Sequence, residues 1–288
     1  LVMGLSPSPQ VFSSVGKAPL AFIHSLGINL RQYLDDWLIH GRGKSRVHRH
    51  TEFVVKVAQH LGFMVNREKS ELNPQQTIVY LGYMFDLVEG LVKVTTDRWE
   101  KIQRCISPFL QATHKKARDW QSLIGLLVST EKLVDKGMIH IRPIQCTFQK
   151  MWSQRTGDQN EWIPVHLEVK EALRWWTVES NVMSGVPLTE PPVEVHMFTD
   201  ASKLGWGGYV EFNEVRGHWT TQESQWHINV LELLAVQRVM EHHLKLVSGK
   251  TVLVATDNMT VVYYIKKQGG TRSEMMMRAT LKLFAFLE

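Results

Sequence analysis

Apolar and polar positions alternate along the chain in blocks whose period identifies the elements. Residues 46–62 carry Val47, Phe53, Val54, Val57, Ala58 and Leu61 near the helical period of about 3.6, and Gly62 is a natural stop. Residues 20–40 hold two apolar stretches around a tight acidic pair, which predicts strand, turn, strand. Thr77–Phe85 (TIVYLGYMF) is β-rich with Gly82 inside it. A helix is predicted over residues 97–112, with Trp99, Ile102, Ile106 and Phe109 on one face and Asp97 and Glu100 in capping-box spacing. Further helical patterns follow at about 117–136 and 166–182, the latter containing Trp175 and Trp176 as core residues.

Ser184–Pro192 is rich in Pro and Gly and reads as a linker. Beyond it the pattern changes. Val193–Phe198 predicts a strand and Leu204–Phe212 its hairpin partner. Ile228–Val247 predicts a long helix with Val230, Leu233, Leu234, Gln237 and Met240 on adjoining turns. Thr251–Ala255 reads as a buried strand and Met259–Ile265 as the helix after it, an order that argues for an α/β fold. No internal repeat or low-complexity tract interrupts it. The opening Leu1 and the helical pattern still running at Leu281–Glu288 read as a segment of a longer chain.

At about 100–200 residues per domain, the length suggests two domains or three small ones. A composition of 44% hydrophobic and 21% charged residues supplies a sizeable core and excludes wholesale disorder. Lys plus Arg number 33 against 28 Asp plus Glu, and the net +5 fits a polyanionic partner without requiring one. Two scattered cysteines, Cys105 and Cys146, give neither a disulfide framework nor a CxxC pair, so a reducing intracellular compartment, cytoplasmic or nuclear, is expected. The histidines lack HExxH or CCHH spacing. No apolar run reaches the roughly 18 residues of a membrane span, so no membrane partner is expected.

Five acids carry the candidate chemistry. Asp35 and Asp36 are adjacent within an apolar hairpin. Like charges at ~4 Å repel by about 4 kcal/mol at an effective dielectric of about 20, a cost that a divalent cation offsets. A plain β-turn is the other reading. After the linker, Asp200 and Asp257 end strands, and Glu232 sits early in a helix among apolar neighbours. Two strand-end acids and one helix acid suit convergence at a sheet edge, where hard oxygen ligands would take Mg²⁺ or Mn²⁺. Taken singly, Asp200 and Asp257 also read as helix caps or turn residues and Glu232 as a surface residue.

In context these motifs resemble a retroelement reverse transcriptase followed by ribonuclease H. Gly4-Leu-Ser-Pro-Ser-Pro-Gln-Val-Phe12 is similar to the family's GLxxxPxxF segment, and Tyr33-Leu-Asp-Asp36 to its YxDD hairpin. Leu61-Gly-Phe63 with Lys69, and Tyr80-Leu-Gly-Tyr83, resemble the next palm motifs. Thr199-Asp-Ala-Ser202, Gly205-Trp-Gly-Gly-Tyr209, Leu231-Glu-Leu-Leu-Ala235 and Thr256-Asp-Asn258 resemble ribonuclease H in family order. The wording of Tyr33–His40 and of Gly269-Gly-Thr-Arg-Ser273 looks most like DIRS-type or related LTR-type retrotransposons.

The resemblance implies an α+β palm over 1–86, a helical thumb and connection over 87–192, and an α/β ribonuclease H-like domain over 193–288. It implies catalytic and metal-binding roles for Asp35, Asp36, Asp200, Glu232 and Asp257. Tyr33 would lie under the primer terminus and Gly4 against the nascent base pair, a place suited to a residue without Cβ. Lys69 would sit near the triphosphate, or else be a solvated lysine. Ser202 and Asn258 would lie near the hybrid backbone. The implied partners are an RNA template, a DNA primer, deoxynucleoside triphosphates and an RNA–DNA hybrid. The family's remaining polymerase and nuclease acids fall before Leu1 and beyond Glu288, so the activity of these residues alone is left open. The other functional reading is a catalytically inactive nucleic-acid-binding remnant or domesticated copy. Finally, Gly41–His50 (GRGKSRVHRH) reads as a basic loop, and Arg42, Lys44, Arg46 and Arg49 are its candidate phosphate contacts.

Overall fold

The computed structural model describes residues 5–152 and 157–287. The chain divides into two units, Leu1–Leu91 and Val92–Glu288.

In the first unit, α1 (Ser8–Ser25) precedes a hairpin of β1 (Asn29–Tyr33) and β2 (Asp36–His40), then α2 (Lys44–His60) and a second hairpin of β3 (Thr77–Tyr80) and β4 (Tyr83–Asp86). Ile23, Ile28, Leu30 and Val54 form its buried core, with Leu20, Trp37, Ile39 and Val57 packed around them. Phe63 meets the edges of both Phe12 and Trp37, at ring-centre distances of 6.1 and 5.7 Å, which ties the residues after α2 to the hairpin.

Two expectations change here. The apolar Ala21–Ser25 is helix rather than strand: Ile23 is buried while Phe22 stays half exposed, as a helix with one core-facing stripe requires. The basic loop is short, because α2 begins at Lys44 and places Lys44, Arg46 and Arg49 on a helix. The second hairpin turns through Leu81 and Gly82, both at positive φ, the conformation of a tight two-residue hairpin turn.

Strand β5 (Leu91–Val94) spans the boundary, and the second unit continues with a helical layer. This comprises α3 (Thr96–Gln111), α4 (Ala117–Val128), α5 (Gly137–Met151), α6 (Leu167–Trp175) and α7 (Glu179–Met183), with short strands β6 (His114–Lys116) and β7 (Trp162–Pro164). Ile102, Ile106 and Phe109 are buried along α3, as their spacing predicts. Its N-cap is Thr95, however, and no side chain makes a capping bond, so Asp97 and Glu100 form no capping box. Trp176 is fully buried, and Trp175 stacks on His140. Within the expected linker, β8 (Val186–Pro187) neighbours β5.

The unit ends in a four-stranded sheet of order β11-β10-β9-β12. Its strands are β9 (Val195–Ala201), β10 (Gly205–Val210), β11 (Asn213–His218) and β12 (Val252–Ala255). β9 and β12 run parallel, joined through α8 (Ile228–His242) and α9 (Leu244–Val247); α10 (Met259–Lys266) and α11 (Glu274–Phe286) follow. The predicted long helix therefore breaks at His243. Along β9 the period of two buries Val195, Met197 and Thr199 under α8 and leaves His196, Phe198 and Asp200 on the open face. Gly208 permits the close approach of helix to sheet: a Cβ there would lie 2.7 Å from Val239 and 2.4 Å from the Phe198 carbonyl.

Candidate active site

Three elements bring three acids together. Ala255 of β12 is level with Phe198 of β9, so Asp257 and Asp200, each two residues further on, leave the same end of the sheet. The imidazole of His227 caps α8 by accepting from the Asn229 amide, which sets Glu232 one turn inside the helix. One carboxylate oxygen from each of Asp200, Glu232 and Asp257 lies within 4.8 Å of the others.

Their environments differ. Asp200 and Asp257 are exposed, while Glu232 is only 5% exposed and its Oε2 has no hydrogen-bond partner. Burial first, and then the charges of Asp200 and Asp257, push the Glu232 carboxyl up to about 7. Asp200 Oδ1 accepts from the Ala201 amide at 2.8 Å. A buried orphan oxygen among three converging carboxylates is unfavourable by itself and fits a small, hard divalent cation. Beside the acids lies an open depression of about 940 Å³ that Phe198, Tyr209 and Arg216 help to line.

The other sequence-predicted residues are placed as follows. Asp35 lies in the β1–β2 turn and Asp36 opens β2 opposite Tyr33. Both acids are exposed, so water screens the repulsion expected of a buried pair. They join no three-residue ligand group among the described residues. Leu34 holds φ at +51°, strained for a branched side chain, which fixes the turn that presents the acids. Tyr33 is 58% exposed beside them, and the Tyr80 hydroxyl donates to the Asp36 carbonyl. Lys69 is exposed in a turn held by Asn66. Arg42, Lys44, Arg46 and Arg49 are exposed. Gly4 lies outside the described residues.

Ser202 is committed locally: its hydroxyl accepts from the Leu204 and Gly205 amides and shapes the β9–β10 turn. Asn258 caps α10 by accepting from Thr260 and Val261, and its amide donates to Asn229 Oδ1 at 3.0 Å. That bond joins the strand end bearing Asp257 to the first turn of the helix bearing Glu232. Asn229 escaped the sequence reading, since its partner lies 29 positions away. The stacked Phe198–Tyr209 pair, with ring centres 4.7 Å apart, was legible only as alternation along two strands.

A parallel βαβ crossover with an antiparallel hairpin on one side and an acid cluster at the strand ends defines a ribonuclease H-like domain. Residues 190–286 match the RNase H-like domain found in reverse transcriptase, and residues 1–85 match reverse transcriptase (RNA-dependent DNA polymerase). The chain thus carries a reverse transcriptase region and an RNase H-like domain, the pairing of a retroelement reverse transcriptase/ribonuclease H fragment. An enzymatic polyprotein of figwort mosaic virus (strain DxS) is 24% identical over 250 residues, covering 81% of this chain and 34% of that protein. The chain thus spans about a third of that relative's length.

Among solved structures, the foamy viral protease-reverse transcriptase in complex with RNA/DNA hybrid superposes with a TM-score of 0.54 at 17% identity, covering 100% of this chain and 37% of that one. Its complex with dsDNA gives 0.53 at 17% identity, covering 100% and 58%. A dRH form with ds DNA gives 0.53 at 16% identity, covering 97% and 47%. At these identities the likeness establishes the mixed α/β fold, a palm with an RNase H-like domain.

Proposed function

We propose that this chain is part of a retroelement RNA-directed DNA polymerase whose ribonuclease H-like domain cleaves the RNA strand of RNA–DNA hybrids. The observation that carries the reading is the convergence of Asp200, Glu232 and Asp257 around the unpartnered Glu232 oxygen. Mg²⁺ or Mn²⁺ held there would supply an activated water and neutralise charge on the phosphodiester, as pairs of ions do in two-metal hydrolysis.

The chain's own residues do the rest. Asp200 and Asp257 keep ligand oxygens open to solvent, and Glu232 supplies a third from the buried side. The Asn258–Asn229 bond keeps the two acid-bearing elements in register. The depression beside Phe198 and Tyr209 receives the hybrid, a partner that a foamy viral relative binds.

In the palm, Asp35 and Asp36 supply carboxylates of the polymerase centre, with Tyr33 and Gly4 against primer and nascent pair. Lys44 and Arg46 crowd the first turn of a helix that has no acid there. Cations oppose the positive end of the helix dipole, and a bound phosphate relieves that repulsion. Arg42, Lys44 and Arg46 accordingly hold template or primer phosphates, and Lys69 the triphosphate of the incoming nucleotide. Ser202 and Asn258 support the hybrid site through the turn and cap they build.

The test is incubation of the chain with a labelled RNA–DNA hybrid and Mn²⁺ or Mg²⁺, beside Asp200→Asn. Cleavage lost in the variant supports the reading. Hybrid binding without cleavage points to a truncated enzyme or to the inactive remnant.

A further inference from the structure

Residues 86–189 lie between the two matched families. Within them β6 and β7 pair antiparallel, His114 opposite Pro164, Lys115 opposite Ile163 and Lys116 opposite Trp162. Opposed residues share a face and successive ones alternate. One face is sealed: Ile163 is buried, and Lys115 reaches over the buried Phe109, its Nζ 5.5 Å from the ring centre. The other face presents His114, Lys116, Trp162 and Pro164. Trp162 is 61% exposed, and the Lys116 Nζ stands 5.6 Å from its ring centre. Arg118, also largely exposed, continues the basic line just past β6.

A tryptophan left in water forgoes the burial its ring area would gain. Held beside an ammonium on a rigid strand pair, the ring is set to receive another flat, electron-rich group while neighbouring cations meet negative charge. Lys116 beside the ring and Arg118 just past β6 supply the positive charge, and Asp119 stands 3.9 Å from Arg118.

We infer that the open face of the β6–β7 platform binds single-stranded nucleic acid, with a base stacked on Trp162 and phosphates on Lys116 and Arg118. Stacking requires an unpaired base with a free face, so the platform selects single strands over duplex. The inference rests on the reading that the chain handles nucleic acid. It is independent of the carboxylate cluster.

The experiment is fluorescence anisotropy of the full chain with a fluorescein-labelled oligouridine and with an abasic strand of equal length. Trp162→Ala should weaken oligouridine binding about 5- to 100-fold, the equivalent of one lost base–aromatic stack. Trp162→Phe should retain most of the affinity, which separates stacking from any loss of fold. The native chain should favour oligouridine over the abasic strand, and Trp162→Ala should bind the two alike. Reversing Lys116 and Arg118 to Glu should flatten the slope of log affinity against log salt by about 1 to 1.5.

Equal oligouridine affinity in Trp162→Ala and native chain would overturn the inference, as would abasic strands binding as tightly as oligouridine. A self-association lost in Trp162→Ala with nucleic-acid affinity intact would also overturn it, by assigning the face to protein contact. All these readings are taken in EDTA and need no metal at the carboxylates, so a failed nuclease centre and a failed platform are told apart.

Discussion

Glu232→Gln should stabilise the metal-free protein at alkaline pH while abolishing its response to metal. The native carboxyl is displaced from 4.5 to about 7 by burial and by two neighbouring carboxylates. A carboxyl raised in the fold is favoured neutral. It therefore costs nothing below about 4.5, costs stability as pH rises from there, and imposes its full cost above about 7. At about 1.4 kcal/mol per tenfold, the displacement corresponds to about 3 kcal/mol. Water reaching the exposed Asp200 and Asp257 screens part of it, leaving about 2 kcal/mol. For a unit of this size that is a rise of about 4–8 °C in melting temperature.

The assay is urea or thermal unfolding in EDTA at pH 5 and pH 8, repeated with Mg²⁺. Gln keeps the volume, and any packing penalty it brings is the same at both pH values, so the pH-dependent part of the difference isolates the charge. Relative to the variant, native protein should lose stability between pH 5 and pH 8 and regain it with Mg²⁺, because the ion binds only the folded carboxylates. Equal pH dependence in the two proteins would show that the Glu232 carboxyl is not held neutral by the fold.

Three further outcomes follow from packing and charge. Gly208→Val should destabilise the second unit by about 1–3 kcal/mol or more in urea unfolding, since a side chain there meets Val239 and the Phe198 carbonyl. Asn229→Ala should cost about 1 kcal/mol and weaken Mn²⁺ affinity measured by titration calorimetry, because it frees the Asp257 strand end from the Glu232 helix. Reversing Lys44 and Arg46 to Glu should weaken duplex binding and reduce its log–log salt slope by about 2, read by anisotropy across a salt series.

The parts of the fold written in local periodicity were legible. Val54 and Ala58 on α2, and Ile102, Ile106 and Phe109 on α3, are buried at the expected spacing. The acid-bearing strand ends were legible because an apolar run stops at each Asp, and Glu232 stood out as an acid amid apolar neighbours. Other parts required tertiary context. Ala21–Ser25 resembles a strand until the turns of α1 before it are counted in. In α5, the run Ile139-His-Ile-Arg142 imitates the alternation of a strand, and Pro143 argues against a helix, yet burial on several sides keeps it helical. β11 is too polar to announce itself and is held by its pairing with β10. The Asn229–Asn258 bond and the Lys116–Trp162 contact join residues far apart in sequence, so no local pattern contains them.

On the proposed function, Asp200, Glu232 and Asp257 form a divalent-metal centre facing an RNA–DNA hybrid. The most direct measurement is anomalous diffraction from crystals of the chain with Mn²⁺ and a non-cleavable hybrid. A manganese peak bound by oxygens of all three carboxylates and lying against an RNA phosphate is expected. Ordered hybrid with no manganese peak at these carboxylates, or hybrid bound on another face of the domain, would contradict it.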